Sequence, residues 1–301
     1  GDHAALLDCA NGAPSAAFGE MYDRFDTEGI VPRLPQEPYH MMTRVIDVST
    51  RPGVQEVGAK VRAEYDIPTD AWYFEDNRNG AMPFAVLSEI ALQPCGWLAS
   101  HCGFALSGNL KFRNLEGDGV LHRALVRQAG LSAKPHFSAA FDLPGEKVKT
   151  RMIEKRLAGG KMRMLDAVDY FNPTGGEAGL GLIRGRQAVD PNAWYFKAHF
   201  YQDPVQPGSL GLDALAQLLA RALLLKGLDE GMSDPHFETI ATGAPFKWSY
   251  RGQVTPDKKE VVTVMEIVSI EKRDKGWLVT ARGSLWRDGL RVYEVGPYSL
   301  G

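Results

Sequence analysis

The residues best placed to do chemistry lie in one run, Ala198-His199-Phe200-Tyr201-Gln202-Asp203-Pro204-Val205-Gln206-Pro207-Gly208-Ser209-Leu210-Gly211-Leu212-Asp213. It predicts His199 at the end of a strand, then a proline-glycine turn, then an apolar helix carrying Asp213 in its first turns. Histidine exchanges a proton near neutral pH, and a carboxyl group can supply the matching acid, so the pair suits general acid–base work. An unpaired buried carboxylate is costly, so Asp213 needs a reason to be there. That reason is either a site role or compensation of the helix dipole. Gln217 lies four residues on, on the same helical face, where it can orient the carboxylate or simply pack. The other histidines, His3, His40, His101, His122, His136 and His236, lack such a context and read as structural or exposed.

The elements that must position this run follow from its surroundings. Asp213 to Leu225 consists of strong helix formers, has no β-branched residue and is apolar on nearly every face, which predicts a buried helix. Ala178 to Val189 has β character and leads into Trp194-Tyr195-Phe196. Glu260 to Ile270, Trp277 to Trp286 and Leu290 to Val295 alternate with the two-residue period of antiparallel strands, separated by polar turns such as Lys272 to Gly276. The glycines at 175, 176, 179 and 181 do not have dinucleotide-loop spacing and read as a turn between strands. Strand, buried helix and further antiparallel strands make an α+β pattern in which a sheet wraps a helix.

The pattern occurs twice. Ala71-Trp72-Tyr73-Phe74 returns as Ala193-Trp194-Tyr195-Phe196, an offset of 122. Pro83, Glu89 and Gln93 match Pro207, Asp213 and Gln217, an offset of 124. Weaker matches join Arg44-Val45-Ile46-Asp47 to Arg163-Met164-Leu165-Asp166, and Lys111-Phe112-Arg113 to Lys247-Trp248-Ser249. Matches in one order at nearly one offset imply two copies of one fold. The first copy shows a helix near Ala85 to Ser100 and a strand around Leu110 to Phe112, but no clear closing strands. Either these diverged into 137–141 and 147–153, or residues are missing with a join near Arg123, the reading favoured here because the sheet could not otherwise close. The domains are then 1–130, a linker at 131–160, and 161–301.

Composition bounds the function. The chain has 301 residues, is 44% hydrophobic and 24% charged, and carries a net charge of −3. That suits a globular protein and lacks the basic footprint of nucleic-acid binding. The apolar run Leu218 to Leu225 is too short to span a bilayer. Cys9, Cys95 and Cys102 have no metal-ligand spacing, which fits a reducing cytoplasm with Cys95 and Cys102 as small buried hydrophobes. The start at Gly1-Asp2-His3 reads as a fragment of a longer polypeptide or a tag scar.

The stretch from Trp194 to Gln217 resembles the bacterial 3-hydroxydecanoyl-acyl carrier protein dehydratase/isomerase family, which has the hot-dog fold. The two-copy arrangement, with Glu64-Tyr65-Asp66-Ile67-Pro68 and Glu89-Ile90-Ala91-Leu92-Gln93-Pro94-Cys95-Gly96-Trp97, resembles the dehydratase region of polyunsaturated fatty acid synthases, modular enzymes akin to polyketide synthases. The resemblance implies a double hot-dog, each copy an antiparallel sheet wrapped around a buried central helix. It implies dehydration of a 3-hydroxyacyl chain on the phosphopantetheine of an acyl carrier protein, alongside other synthase domains. His199 would take the C2 proton, and the N–H of Gly208 would polarise the thioester carbonyl. A carboxylic acid would protonate the departing hydroxyl. In that family histidine and carboxylate come from different protomers. Carried onto a fused pair, His199 faces Glu89, and Asp213 faces Asn77 in a degenerate site; Gln93 and Gln217 orient the two carboxyl groups.

No cofactor is implied, and no residue decides whether double-bond isomerisation also occurs or whether the chain forms a homodimer. Two other functions compete. A hot-dog thioesterase would use a carboxylate and water without His199. An inactive acyl-binding module of a synthase would fit Asn77 and the shortened first copy.

Overall fold

The computed structural model describes residues 2–78, 81–120, 157–238 and 240–301. In chain order the described elements are α1 (His3–Asn11), α2 (Pro14–Phe18), β1 (Arg44–Val48), β2 (Val61–Glu64), α3 (Trp72–Asn77), α4 (Phe84–His101), β3 (Glu116–Val120), β4 (Ala167–Asn172), β5 (Leu182–Ala188), α5 (Trp194–Ala198), α6 (Gly208–Leu225), β6 (Pro245–Tyr250), β7 (Glu260–Arg273), β8 (Gly276–Arg287) and β9 (Leu290–Leu300). The expected segments 137–141 and 147–153, the join near Arg123 and most of the linker lie outside the described residues.

The chain divides into two compact units that cut across the sequence copies. One comprises Gly1–Asp66, Val86–Arg113 and Pro191–Pro207; the other comprises Ile67–Ala85, Asn114–Asp190 and Gly208–Gly301. In the first unit the Asp2 carboxylate caps α1 by accepting from the Ala5 N–H at 3.0 Å. Pro14, whose missing N–H costs nothing at a helix start, opens α2. Leu6, Cys9, Phe18, Tyr22, Phe25 and Trp97 form this unit's core, so the first 25 residues cover one face of α4. Burial of such side chains contributes roughly 1.5–3 kcal/mol each.

In the second unit a seven-stranded antiparallel sheet runs β3-β6-β9-β8-β7-β5-β4. Helix α6 packs against β5, β7, β8 and β9 and buries Leu210, Leu212, Leu215, Leu218, Leu219, Leu223 and Leu224. Alternate residues of β7, Val261, Thr263, Met265 and Ile267, are buried, the period expected of a strand with one covered face. A sheet wrapped on a buried helix is the hot-dog arrangement, in the α+β class.

The first copy repeats its opening. The β1–β2 and β4–β5 ladders pair Arg44 with Glu64 and Ala167 with Arg186, and each slips register just after its second pair, between Val45 and Asp47 and between Val168 and Tyr170. The double hot-dog is therefore duplicated down to its bulges. This register aligns Arg44 with Ala167, four residues beyond the Arg163 suggested by sequence. Short motifs slide easily, whereas a ladder fixes which residues oppose each other.

Several expectations are corrected. The Trp-Tyr-Phe segments form short helices, α3 and α5, not strands, and His199 is the C-terminal cap of α5. Residues 110–112 form no regular strand. Cys95 is exposed, while Cys102 is buried as expected. The run Leu218 to Leu225 belongs to an 18-residue helix long and apolar enough to cross a membrane by length and composition, although 78% of it is buried in the fold.

Candidate active site

His199 is set by its neighbours on the chain. The last carbonyls of α5 lack intrahelical partners; Gln36 takes two of them, its N–H donating to the Ala198 carbonyl at 2.9 Å and its side chain to Lys197. This clamp fixes where the chain leaves α5. The loop then closes on itself: the Val205 N–H donates to the His199 carbonyl at 3.1 Å, and His199 Nδ1 lies 3.3 Å from the Val205 carbonyl. A carbonyl only accepts, so Nδ1 carries the hydrogen and the neutral ring keeps its lone pair on Nε2, the tautomer of a base. The Phe200 ring lies 3.7 Å from the imidazole centroid to centroid, and His199 is buried.

Burial pushes the His199 pKa from 6.5 down to about 4, assisted by the positive charge of Arg113 and opposed by its bond to Val205 and by Asp203. Asp203, absent from the sequence-based candidates, is itself held by Lys111 Nζ at 2.9 Å and by Arg113. Lys111 and Arg113 are far from His199 in sequence, so no motif could have revealed them.

Glu89 and Gln93 occupy the same compact unit as His199. Glu89 is buried, and its Oε2 accepts from Gln93 Nε2 at 3.0 Å. Gln93 spends its whole amide: Oε1 accepts from the Met41 N–H at 2.8 Å and Nε2 also donates to the Tyr39 carbonyl at 2.9 Å. The second copy repeats this bond for bond. Gln217 accepts from the Met164 N–H at 3.0 Å and donates to the Met162 carbonyl at 2.7 Å and to Asp213 Oδ2 at 2.8 Å. The backbone partners are offset by 123 residues and the acid and amide pairs by 124.

Gln93→Ala would remove a hydrogen bond from a buried N–H and from a buried C=O, at about 1–3 kcal/mol each. Urea unfolding should show a larger loss for Gln93→Ala than for Gln217→Ala, because Gln217 is only partly buried and water can replace its amide.

Asn77 and Asp213 share the second unit and line one cleft of about 440 Å³, open to solvent, with Phe84, Ala216, Gln217, Phe237 and Leu300. Asn77 Nδ2 donates to the Ala81 carbonyl at 2.8 Å. Ala81 is the counterpart of Val205, so Asn77 keeps the loop-closing bond of the histidine and lacks its basic nitrogen. Phe84 stands at the position matching Gly208 and packs edge-on against Phe246 and Tyr298. At Gly208 itself an added Cβ would lie 2.6 Å from the Tyr250 ring, so the second copy needs glycine there for packing as well.

Burial raises the Asp213 carboxyl from the usual 3.8 to about 6, against the hydrogen bonds from Gln217 and the Ala85 N–H. A carboxyl that binds its proton more tightly when folded favours the fold most at low pH, and that advantage is lost as pH rises from 3.8 through about 6. Asp213→Asn removes the titration. Its stability relative to wild type should therefore grow between pH 4 and 7, by about 3 kcal/mol. Denaturant unfolding at a series of pH values would measure this; a pH-independent difference would contradict it.

The FabA-like domain family matches residues 157–296. A polyunsaturated fatty acid synthase protein from Thraustochytrium sp., one component of that synthase, is 29% identical over 375 residues, taking in 94% of this chain and 25% of the relative. The chain thus spans about a quarter of that relative's length. The alignment is longer than the chain, so the relative has residues within it that face none here. Among solved structures, the dehydratase heterocomplex ApeI:P from Xenorhabdus doucetiae is 13% identical over 46% of this chain and 82% of its own, with a TM-score of 0.30. A conserved hypothetical protein from Mycobacterium tuberculosis, described as a double hotdog fold, is 14% identical over 56% of this chain and 54% of its own, with a TM-score of 0.29. Residues 157–296 thus resemble a FabA-like domain, and 94% of the chain aligns with part of a polyunsaturated fatty acid synthase protein.

Proposed function

We propose that the chain dehydrates 3-hydroxyacyl thioesters, presented by an acyl carrier protein within a synthase, to trans-2-enoyl thioesters. The observation that carries this reading is the state of His199: a buried imidazole, neutral at working pH, with its hydrogen committed to Val205 and a lone pair on Nε2. His199 and Glu89 belong to one compact unit while Asn77 and Asp213 belong to the other, which favours the cross-copy pairing.

In this mechanism His199 Nε2 takes the C2 proton. The electron pair of that C–H bond forms the C2–C3 double bond. The C3–O bond breaks as Glu89 gives its proton to the leaving hydroxyl, so the base gains one proton, the acid loses one and water departs. The C2 proton is acidic only while negative charge on the thioester oxygen is stabilised, the role assigned to the Gly208 N–H at the start of α6. The proposed domain division remains 1–130, 131–160 and 161–301.

Incubation with 3-hydroxydecanoyl-acyl carrier protein tests the reading. Formation of the 2-enoyl thioester, and hydration in reverse, is expected. Release of free acid would favour thioester hydrolysis instead, and binding without conversion would favour an acyl-binding module.

A further inference from the structure

Gln206 stands apart among the buried polar side chains. It is 3% exposed, and among the described residues neither Nε2 nor Oε1 of its amide has a hydrogen-bond partner. An amide stripped of water without replacement bonds is destabilising, and such a group in a native fold calls for an explanation. Every other polar group in its loop with a described bond is engaged within the first unit. Val205, the preceding residue, is tied to His199 through both its N–H and its carbonyl. The Cα of Gln206 lies one peptide, about 3.8 Å, beyond that of Val205. An orphaned donor and acceptor thus belong to the residue that follows the anchor of the proposed base.

The chemistry of the amide selects its ligand. Nε2 offers a donor and Oε1 an acceptor, side by side and fixed in one plane. A 3-hydroxyacyl thioester presents the complement on alternate carbons, an acceptor at the C1 carbonyl and a donor at the C3 hydroxyl. The enoyl product keeps the carbonyl and loses the hydroxyl. We propose that Gln206 binds the hydroxyl and carbonyl of the 3-hydroxyacyl head and sets the preference for hydroxylated over plain acyl chains. This rests on the dehydratase reading. It also gives the hydroxyl hydrogen a place on Oε1 while the hydroxyl oxygen receives the proton from Glu89.

Gln206→Met keeps the side-chain length and removes both polar atoms. With no hydrogen bond to a described residue to lose, the variant should melt at or above the wild-type temperature. Its KM for 3-hydroxydecanoyl-N-acetylcysteamine should rise by about tenfold, the scale of one or two lost hydrogen bonds. Inhibition by decanoyl-N-acetylcysteamine, which lacks the hydroxyl, should change much less. An unchanged KM, or an equal loss with both compounds, overturns the assignment.

A measurement on the intact side chain guards against misfolding of the variant. In His199→Ala protein, which cannot turn the ligand over, the Gln206 side-chain amide resonances should move when the hydroxyacyl thioester binds and stay nearly still with the decanoyl compound. No movement at saturation overturns it as well. Wild-type protein without dehydration activity would instead sink the dehydratase reading, an outcome the parallel rate measurement separates.

Discussion

His199→Asn should lower the proposed dehydration as much as His199→Ala does, by about 10²–10⁴-fold in kcat, and only the asparagine variant should keep wild-type stability. The first copy supplies the reason. Asn77 makes with Ala81 the bond that His199 makes with Val205, so an asparagine at 199 should close the loop normally. Alanine leaves the Val205 carbonyl without that partner. What both variants lose is the basic Nε2, so a rate that survives in either excludes His199 as the base.

The pH dependence carries a second signature of the same residue. Burial holds His199 neutral down to about pH 4, so a kcat/KM limb due to its protonation falls near 4 and not near the usual 6.5. The unfolded histidine takes up its proton at 6.5. The contribution of the neutral ring to stability is therefore complete above pH 6.5 and is lost as pH falls through about 4. Asp213 has the opposite slope over nearly the same interval. Only the difference between each variant and wild type isolates either group.

Glu89→Gln removes the proposed proton donor and should also cost about 10²–10⁴-fold in kcat, while Asp213→Asn leaves dehydration within a few-fold of wild type. Both substitutions nearly preserve shape, and both leave the Gln93 or Gln217 bonds to the backbone intact. Steady-state rates on one carrier-bound substrate decide between the pairings. A larger loss at Asp213 would return the acid to the helix that follows His199 in sequence, and the cross-copy arrangement would fall.

Much of the fold was legible where local chemistry and tertiary environment agree. α6 is made of residues that favour helix and that the core also wants, and β7 alternates because one of its faces is covered. The misreadings fall where these levels part. Trp194-Tyr195-Phe196 has β-favouring aromatics, but five residues are too few to display a period, and α5 is helical with its end clamped by Gln36. Cys95 sits in an apolar run yet faces outward, because a helix has a far side and composition does not reveal which side is covered.

By itself the sequence determined the duplication, the α+β class and a short list of candidate residues: His199, Glu89 and Asp213 for acid–base chemistry, with Gln93 and Gln217 to orient the carboxyl groups. These are matters of type and spacing along one chain. Only the tertiary structure decided who neighbours whom. It placed Glu89 in the same unit as His199, brought Lys111 and Arg113 onto Asp203, and left the Gln206 amide buried without a partner among the described residues. Burial and long-range neighbours set the protonation state of an imidazole or a carboxyl group, and both exist only once the chain has folded.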